Sequence, residues 1–241
     1  MGRSTQLVKW SYAVTALLAC GASSVVAQNS PAPTGRIAGT VTLSHDLSAR
    51  KPRLRVYAEY GPGATPAADP GDTNELKNVV VYLDSAATDR RPPPAGLSIA
   101  QRNEAFEPHV LPVLVGWPVA FPNRDPIFHN VFSLSSVKVF DLGRYPQGAS
   151  KSIRFDRAGQ VRVFCHIHSD MSAVIMVLAN RFFTVPDEAG HYVLDSVPVG
   201  DYRIVAWHER THQSVVHVHV TSGETSVVDF NIPLPPPESK P

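Results

Sequence analysis

Val161-Arg162-Val163-Phe164-Cys165-His166-Ile167-His168-Ser169-Asp170-Met171-Ser172-Ala173-Val174-Ile175-Met176 reads as an alternating strand, a short loop dense in metal-binding side chains, and a second strand that is apolar at nearly every position. The loop sets one thiolate, one imidazole and one thioether at the spacing C-x2-H-x2-M. Upstream, Phe128-His129-Asn130-Val131 offers another imidazole. A cysteine, two histidines and a weak axial methionine form the donor set of a mononuclear copper centre. Thiolate and thioether suit Cu(I), and imidazole suits both oxidation states, so such a set tolerates one-electron cycling. Three donors on one loop, with the fourth on a neighbouring connection, place the site at one end of a barrel. The candidate ligands are therefore His129, Cys165, His168 and Met171. Met176 falls in the exit strand and is the weaker axial candidate. Phe121, Phe128 and Phe164 lie near the donors in sequence and are expected to keep water out. Zinc, or no metal, is the competing reading of the same residues.

Outward from this loop the chain reads as strands. Alternation or continuous apolar character marks them at 36–43, 54–60, 79–83, 110–115, 118–121, 131–134, 151–155, 160–164 and 173–178. Others follow at 192–194, 202–207, 214–220 and 226–230. Gly116, Asn123-Arg124-Asp125, Gly143, Ala158-Gly159 and Pro198-Val199-Gly200-Asp201 supply the turns between them. No segment holds a convincing 3.6-residue period. The expectation is an all-β protein built as an antiparallel sandwich or barrel.

The ends read differently. Residues 1–27 carry Arg3 and Lys9, a short apolar stretch from Trp10 to Ala19, and the small-residue exit Val25-Val26-Ala27, the pattern of an export signal. The apolar stretch is too short to span a bilayer. Leu17-Leu18-Ala19-Cys20 also resembles a bacterial lipoprotein box, which would make Cys20 a lipid anchor; cleavage after Ala27 is favoured. Either route removes or blocks Cys20 and leaves Cys165 as the one free thiol, without a partner for an internal disulfide. Residues 28–34 are a polar linker, and 35–95 hold N-terminal strands with a mobile Gly/Pro/Ala/Asp loop at 61–73. Residues 96–180 form the candidate metal domain, 181–232 a second β module, and 233–241 a disordered tail. The chain carries 22 basic and 21 acidic residues, a balance that gives no reason to invoke nucleic acid.

Phe106-Glu107-Pro108, Gly116, Val119-Ala120-Phe121-Pro122-Asn123-Arg124-Asp125 and His129 follow a rhythm of F-x-P, Gly, V-x-F-x-N-x-D and then His. With the C-x2-H-x2-M loop, residues 106–178 resemble a cupredoxin of the plastocyanin and amicyanin type. Cys165, Ile167, His168 and Met171, joined by Trp207-His208, further resemble plastocyanin-like periplasmic proteins of the methylamine-utilization type. The resemblance implies a Greek-key β-barrel holding one type 1 copper ion on His129, Cys165, His168 and Met171. It also implies that Asn130 supports the thiolate by hydrogen bonding. The run from Gly190 to Tyr202 is similar to the G-x-Y-x-L-x-x-V-P-x-G-x-Y signature of carboxypeptidase-regulatory-like and prealbumin-like β-sandwich modules, which are structural or binding elements. Residues 35–41 resemble the first strand of such a module, so this strand can pair there or belong to the barrel; the sequence leaves both open.

The expected function is an exported, periplasmic electron carrier serving redox partner proteins. Copper delivery or storage, or cell-surface ligand binding without redox turnover, is the alternative. No second His-rich repeat offers a catalytic metal site, so an enzyme is not expected. His109 is not expected to bind metal. His166 is expected at the surface beside the ligand cysteine. His208, His212, His217 and His219 are a remote candidate for a second cation site.

Overall fold

A computed structural model describes residues 1–2, 32–44, 74–88 and 91–233. The expected export signal, Cys20, the strand at 54–60, the loop at 61–73 and the tail beyond 233 lie outside the described residues. In chain order the strands are β1 (Thr34–Leu43), β2 (Val80–Leu83) after a 3-10 turn at Glu75–Asn78, β3 (Ala100–Arg102), β4 (Ala105–Glu107) and β5 (Val110–Leu114). Next come β6 (Pro118–Pro122), β7 (His129–Ser135), β8 (Lys138–Tyr145), β9 (Ser150–Arg154), β10 (Gly159–Phe164) and β11 (Ser172–Leu178). The last are β12 (Phe183–Thr184), β13 (His191–Pro198), β14 (Gly200–Trp207), β15 (Ser214–Val220), β16 (Thr225–Val227) and β17 (Phe230–Ile232). The protein is all-β among the described residues, as its alternating pattern predicts.

Two layered lobes result, both within the unit Pro33–Pro241. In the first, a five-stranded sheet runs β5-β11-β10-β7-β8, and the pairs β6-β9 and β3-β4 close over it. Its core gathers Phe106, Val119, Phe121, Val131, Phe155, Val161, Val163 and Ile175 around Cys165 and Met171. In the second, β13-β1-β16, with β17 also on β1, faces β12-β2-β14-β15. Its core joins Ile37, Val41, Tyr192 and Leu194 to Val81, Leu83, Ile204 and Ala206. Pairing is not purely antiparallel: β5 runs parallel to β11, and β16 and β17 run parallel to β1.

The strand whose placement the sequence leaves open belongs to the second lobe. β1 pairs with β13, β16 and β17, and β2 pairs with β12 and β14. Gly39 makes this possible, since a Cβ there would stand 1.7 Å from the Val228 carbonyl oxygen. β8 escapes the sequence reading for a physical reason. Val139 points into solvent, and Asp141 and Gly143 (φ +65°) interrupt the alternation like turn residues.

The apolar runs at β2 and β11 have a common cause. Along β11, Ala173, Ile175 and Val177 enter the first core, while Val174, Met176 and Leu178 face the other way. Along β2 and the residue before it, Val79, Val81 and Leu83 enter the second core, while Val80 and Tyr82 face outward from it. The outward sets meet in a third apolar layer completed by Val110, Phe183 and Trp207. Both strands are buried on both faces, so neither shows alternation. Trp207 is the largest side chain in that layer, and Trp207→Ala should destabilise the protein by about 3–5 kcal/mol. Urea unfolding of the full chain checks this, read as a shift in midpoint at constant m.

Candidate metal centre

The donors come from two connections at one end of the first lobe. β10 delivers Cys165, and β11 leaves at Ser172, the two strands staying paired from Gly159↔Val177 to Phe164↔Ser172. The connecting loop is closed by its own backbone: the Cys165 amide donates to the Met171 carbonyl at 3.3 Å, and the Met171 amide to that of His168 at 3.1 Å. His129 opens β7 opposite Tyr145, next to a β-bulge between Asn130 and Phe132. The bulge re-aims side chains where His129, Asn130 and Val131 are buried in succession.

These elements bring His129, Cys165 and His168 together as the group of metal-capable side chains among the described residues. The two Nδ1 atoms lie 3.1 Å apart, and Cys165 Sγ stands 3.9 Å from that of His129 and 3.8 Å from that of His168. A triangle with these sides has its centre about 2.1 Å from each corner, against metal–imidazole and metal–thiolate bonds of roughly 2.0–2.3 Å. The three atoms thus fit one ion in trigonal coordination. Met171 is buried in the same apolar cluster as Cys165, whereas Met176 faces the layer between the lobes.

Asp125 is the residue the sequence reading passed over. His129 Nε2 donates to Asp125 Oδ2 at 2.7 Å, so its proton is held there and Nδ1 is left with its lone pair toward the cluster. Asp125 is itself held by the amides of Asn103 and Glu104, at 2.6 and 2.9 Å. Burial works against its charge, but the Glu104 amide, the His129 ring and the Asn103 amide outweigh that and hold its carboxyl below the usual carboxylate range. Asn123 shapes the connection: its side-chain oxygen accepts from the Asp125 amide, and its nitrogen donates to the Ile127 and Tyr145 carbonyls. The signal lies in the N-x-D before His129, where Asp125 has the look of a turn residue. Burial, and then the neighbouring His129, push the His168 imidazole below its ordinary value, which favours the neutral, ligating form.

Other expectations meet the structure as follows. Asn130 reaches the thiolate's neighbour: its oxygen accepts from the His166 amide at 2.9 Å, and its nitrogen donates to Asp141 at 2.7 Å. It therefore pins the start of the ligand loop to β7 and β8. Phe121 is fully buried and Phe164 partly so, but Phe128 is 57% exposed and does not shield the donors. It lies in an exposed turn at 126–128, between the buried Asp125 and His129. His166 lies half open against the Phe132 ring, with centroids 3.8 Å apart. His217 and His219 lie on the exposed face of β15, where His219 pairs with Asp201, and among the described residues they form no three-residue donor group.

No family model matches the sequence, and no curated protein matches it. Solved structures do share its shape in part. A copper-containing nitrite reductase from Thermus scotoductus SA-01 is 23% identical over 39% of this chain and 24% of its own, with a TM-score of 0.34. An amicyanin variant in the Cu(I) form is 19% identical over 41% of this chain and 98% of its own, with a TM-score of 0.34. A purple cupredoxin from Nitrosopumilus maritimus is 21% identical over 34% of this chain and 99% of its own, with a TM-score of 0.32. The chain thus spans about a quarter of the nitrite reductase. The chemistry of the centre rests on its own geometry.

Asp125→Asn keeps the shape but loses the charge that orients His129. It should weaken metal binding about 10–100-fold, as measured by competition titration against a chelator of known affinity.

Proposed function

We propose that this protein is a single-electron carrier built on a type 1 copper centre at His129, Cys165, His168 and Met171, working in the bacterial periplasm without catalysis of its own. The observation that supports it is the triangle of two imidazole nitrogens and one thiolate sulfur, already closed to bonding dimensions by protein contacts alone. A copper ion bound there supplies a one-electron couple. The donor set favours copper over zinc: structural zinc takes four Cys, His or carboxylate donors, and here three such donors sit beside a buried thioether.

Each residue has a separate task. Cys165 offers the thiolate, buried among apolar side chains that exclude water. His129 is fixed by Asp125 and fully enclosed. His168 is only partly buried, so its ring is the donor that opens toward solvent and a redox partner. Exposed Ile127, Phe128 and Ile167 flank these histidines in the chain and give that end an apolar rim for transient contact. Donors held in place on both sides of the redox change keep the rearrangement between oxidation states small.

The copper-loaded protein should be blue, with strong thiolate-to-copper absorption at about 600 nm. Cys165→Ser should abolish the band. Cyclic voltammetry should show a reversible couple; copper held in one oxidation state would point to delivery or storage instead.

A further inference from the structure

Trp207-His208 came from the sequence as a motif without a task, and the structure gives it one. Trp207 ends β14 inside the layer between the lobes. His208 is fully buried behind it, its Nε2 3.3 Å from Glu75 Oε2 and its Nδ1 accepting from the Arg210 amide at 3.3 Å. The Thr211 amide closes the turn onto the His208 carbonyl at 3.2 Å. A turn tied down at residues 207, 208, 210 and 211 carries Glu209 in a set direction.

That direction is toward the metal-binding lobe. Glu209 Oε1 accepts from His109 Nε2 at 2.7 Å, and the same ring donates through Nδ1 to the Ser172 carbonyl at 2.9 Å. The carboxylate contact is charge-assisted and largely shielded from solvent, Glu209 being 15% exposed. His109 also uses its backbone, its carbonyl accepting from the Val174 amide at 2.8 Å. It therefore grips β11 at 172 and 174, and Ser172 directly follows Met171.

We propose that Glu209 and His109 are positioning residues for the metal centre: a strut from the second lobe that fixes the exit of the ligand loop and, through it, the approach of the Met171 sulfur to the plane of the other three donors. The spectroscopic part of this proposal rests on the copper reading; the mechanical part does not. The second lobe is on this view a component of the centre, and not a neighbouring module.

The full chain as wild type, Glu209→Ala and Glu209→Gln separates the possibilities. Without metal, Glu209→Ala should raise amide hydrogen exchange at Met171 and Val174 about tenfold, as expected for loss of one charge-assisted bond. Amides of the β14–β15 ladder should keep their wild-type rates. Glu209→Gln retains an acceptor and should recover most of the protection. With copper, Glu209→Ala should change the ratio of the visible bands and shift the reduction potential, while Cys165 ligation persists. Wild-type exchange at Met171 in Glu209→Ala would overturn the proposal. So would faster exchange spread evenly over both lobes, the mark of a bond that merely adds stability. If Glu209→Ala does not fold, His109→Gln replaces it, with the same two readings. A wild-type chain that stays colourless with copper would overturn the copper reading alone, since the metal-free exchange still decides the strut.

Discussion

Everything distinctive in this molecule depends on β11 being buried on both faces. One face completes the core that surrounds the thiolate; the other forms the layer that receives the second lobe. A strand covered on both sides cannot slip by one residue without exchanging the two sets, so its register is held twice. That register places Ser172 opposite Phe164 and hence sets the span of the loop from Cys165 to Met171. The loop from Cys165 to Met171 inherits its dimensions from packing that lies well below it.

At the candidate centre the two histidines are treated unequally. His129 is sealed in, backed by a carboxylate that is held by two backbone amides and by a neighbour's side-chain turn. Among the described residues His168 has no such carboxylate in its hydrogen bonds, and it is only partly covered. One ring serves as a fixed reference for the geometry and the other as a contact with the outside.

Much of this was legible in the sequence, and the reasons are local. Strands that alternate, and apolar runs bounded by Gly or Asn-Arg-Asp turns, report their own fate, which is why β10, β11, β14 and β15 stand out. The donor residues on 165–171 are legible because thiolate, imidazole and thioether at close spacing have few other uses together. β8 was not legible, because one face meets solvent and Gly143 interrupts it. Asp125 was not, because a carboxylate four residues before a histidine is unremarkable until the chain is bent so that they meet. Nor was the Glu209–His109 contact, which joins residues a hundred positions apart. The placement of β1 falls in the same class, since its partners lie at the far end of the chain.

That last pairing has a consequence for how the protein is made. The first lobe draws its sheets from one uninterrupted stretch, from β3 to β11. The second joins distant segments: among the described residues β1 has no partner before β13, and its opposite edge pairs with β16 and β17. Long-range closure of this kind is slow relative to local pairing. Closing the sheet around β1 therefore needs strands that follow the whole of the first lobe in sequence.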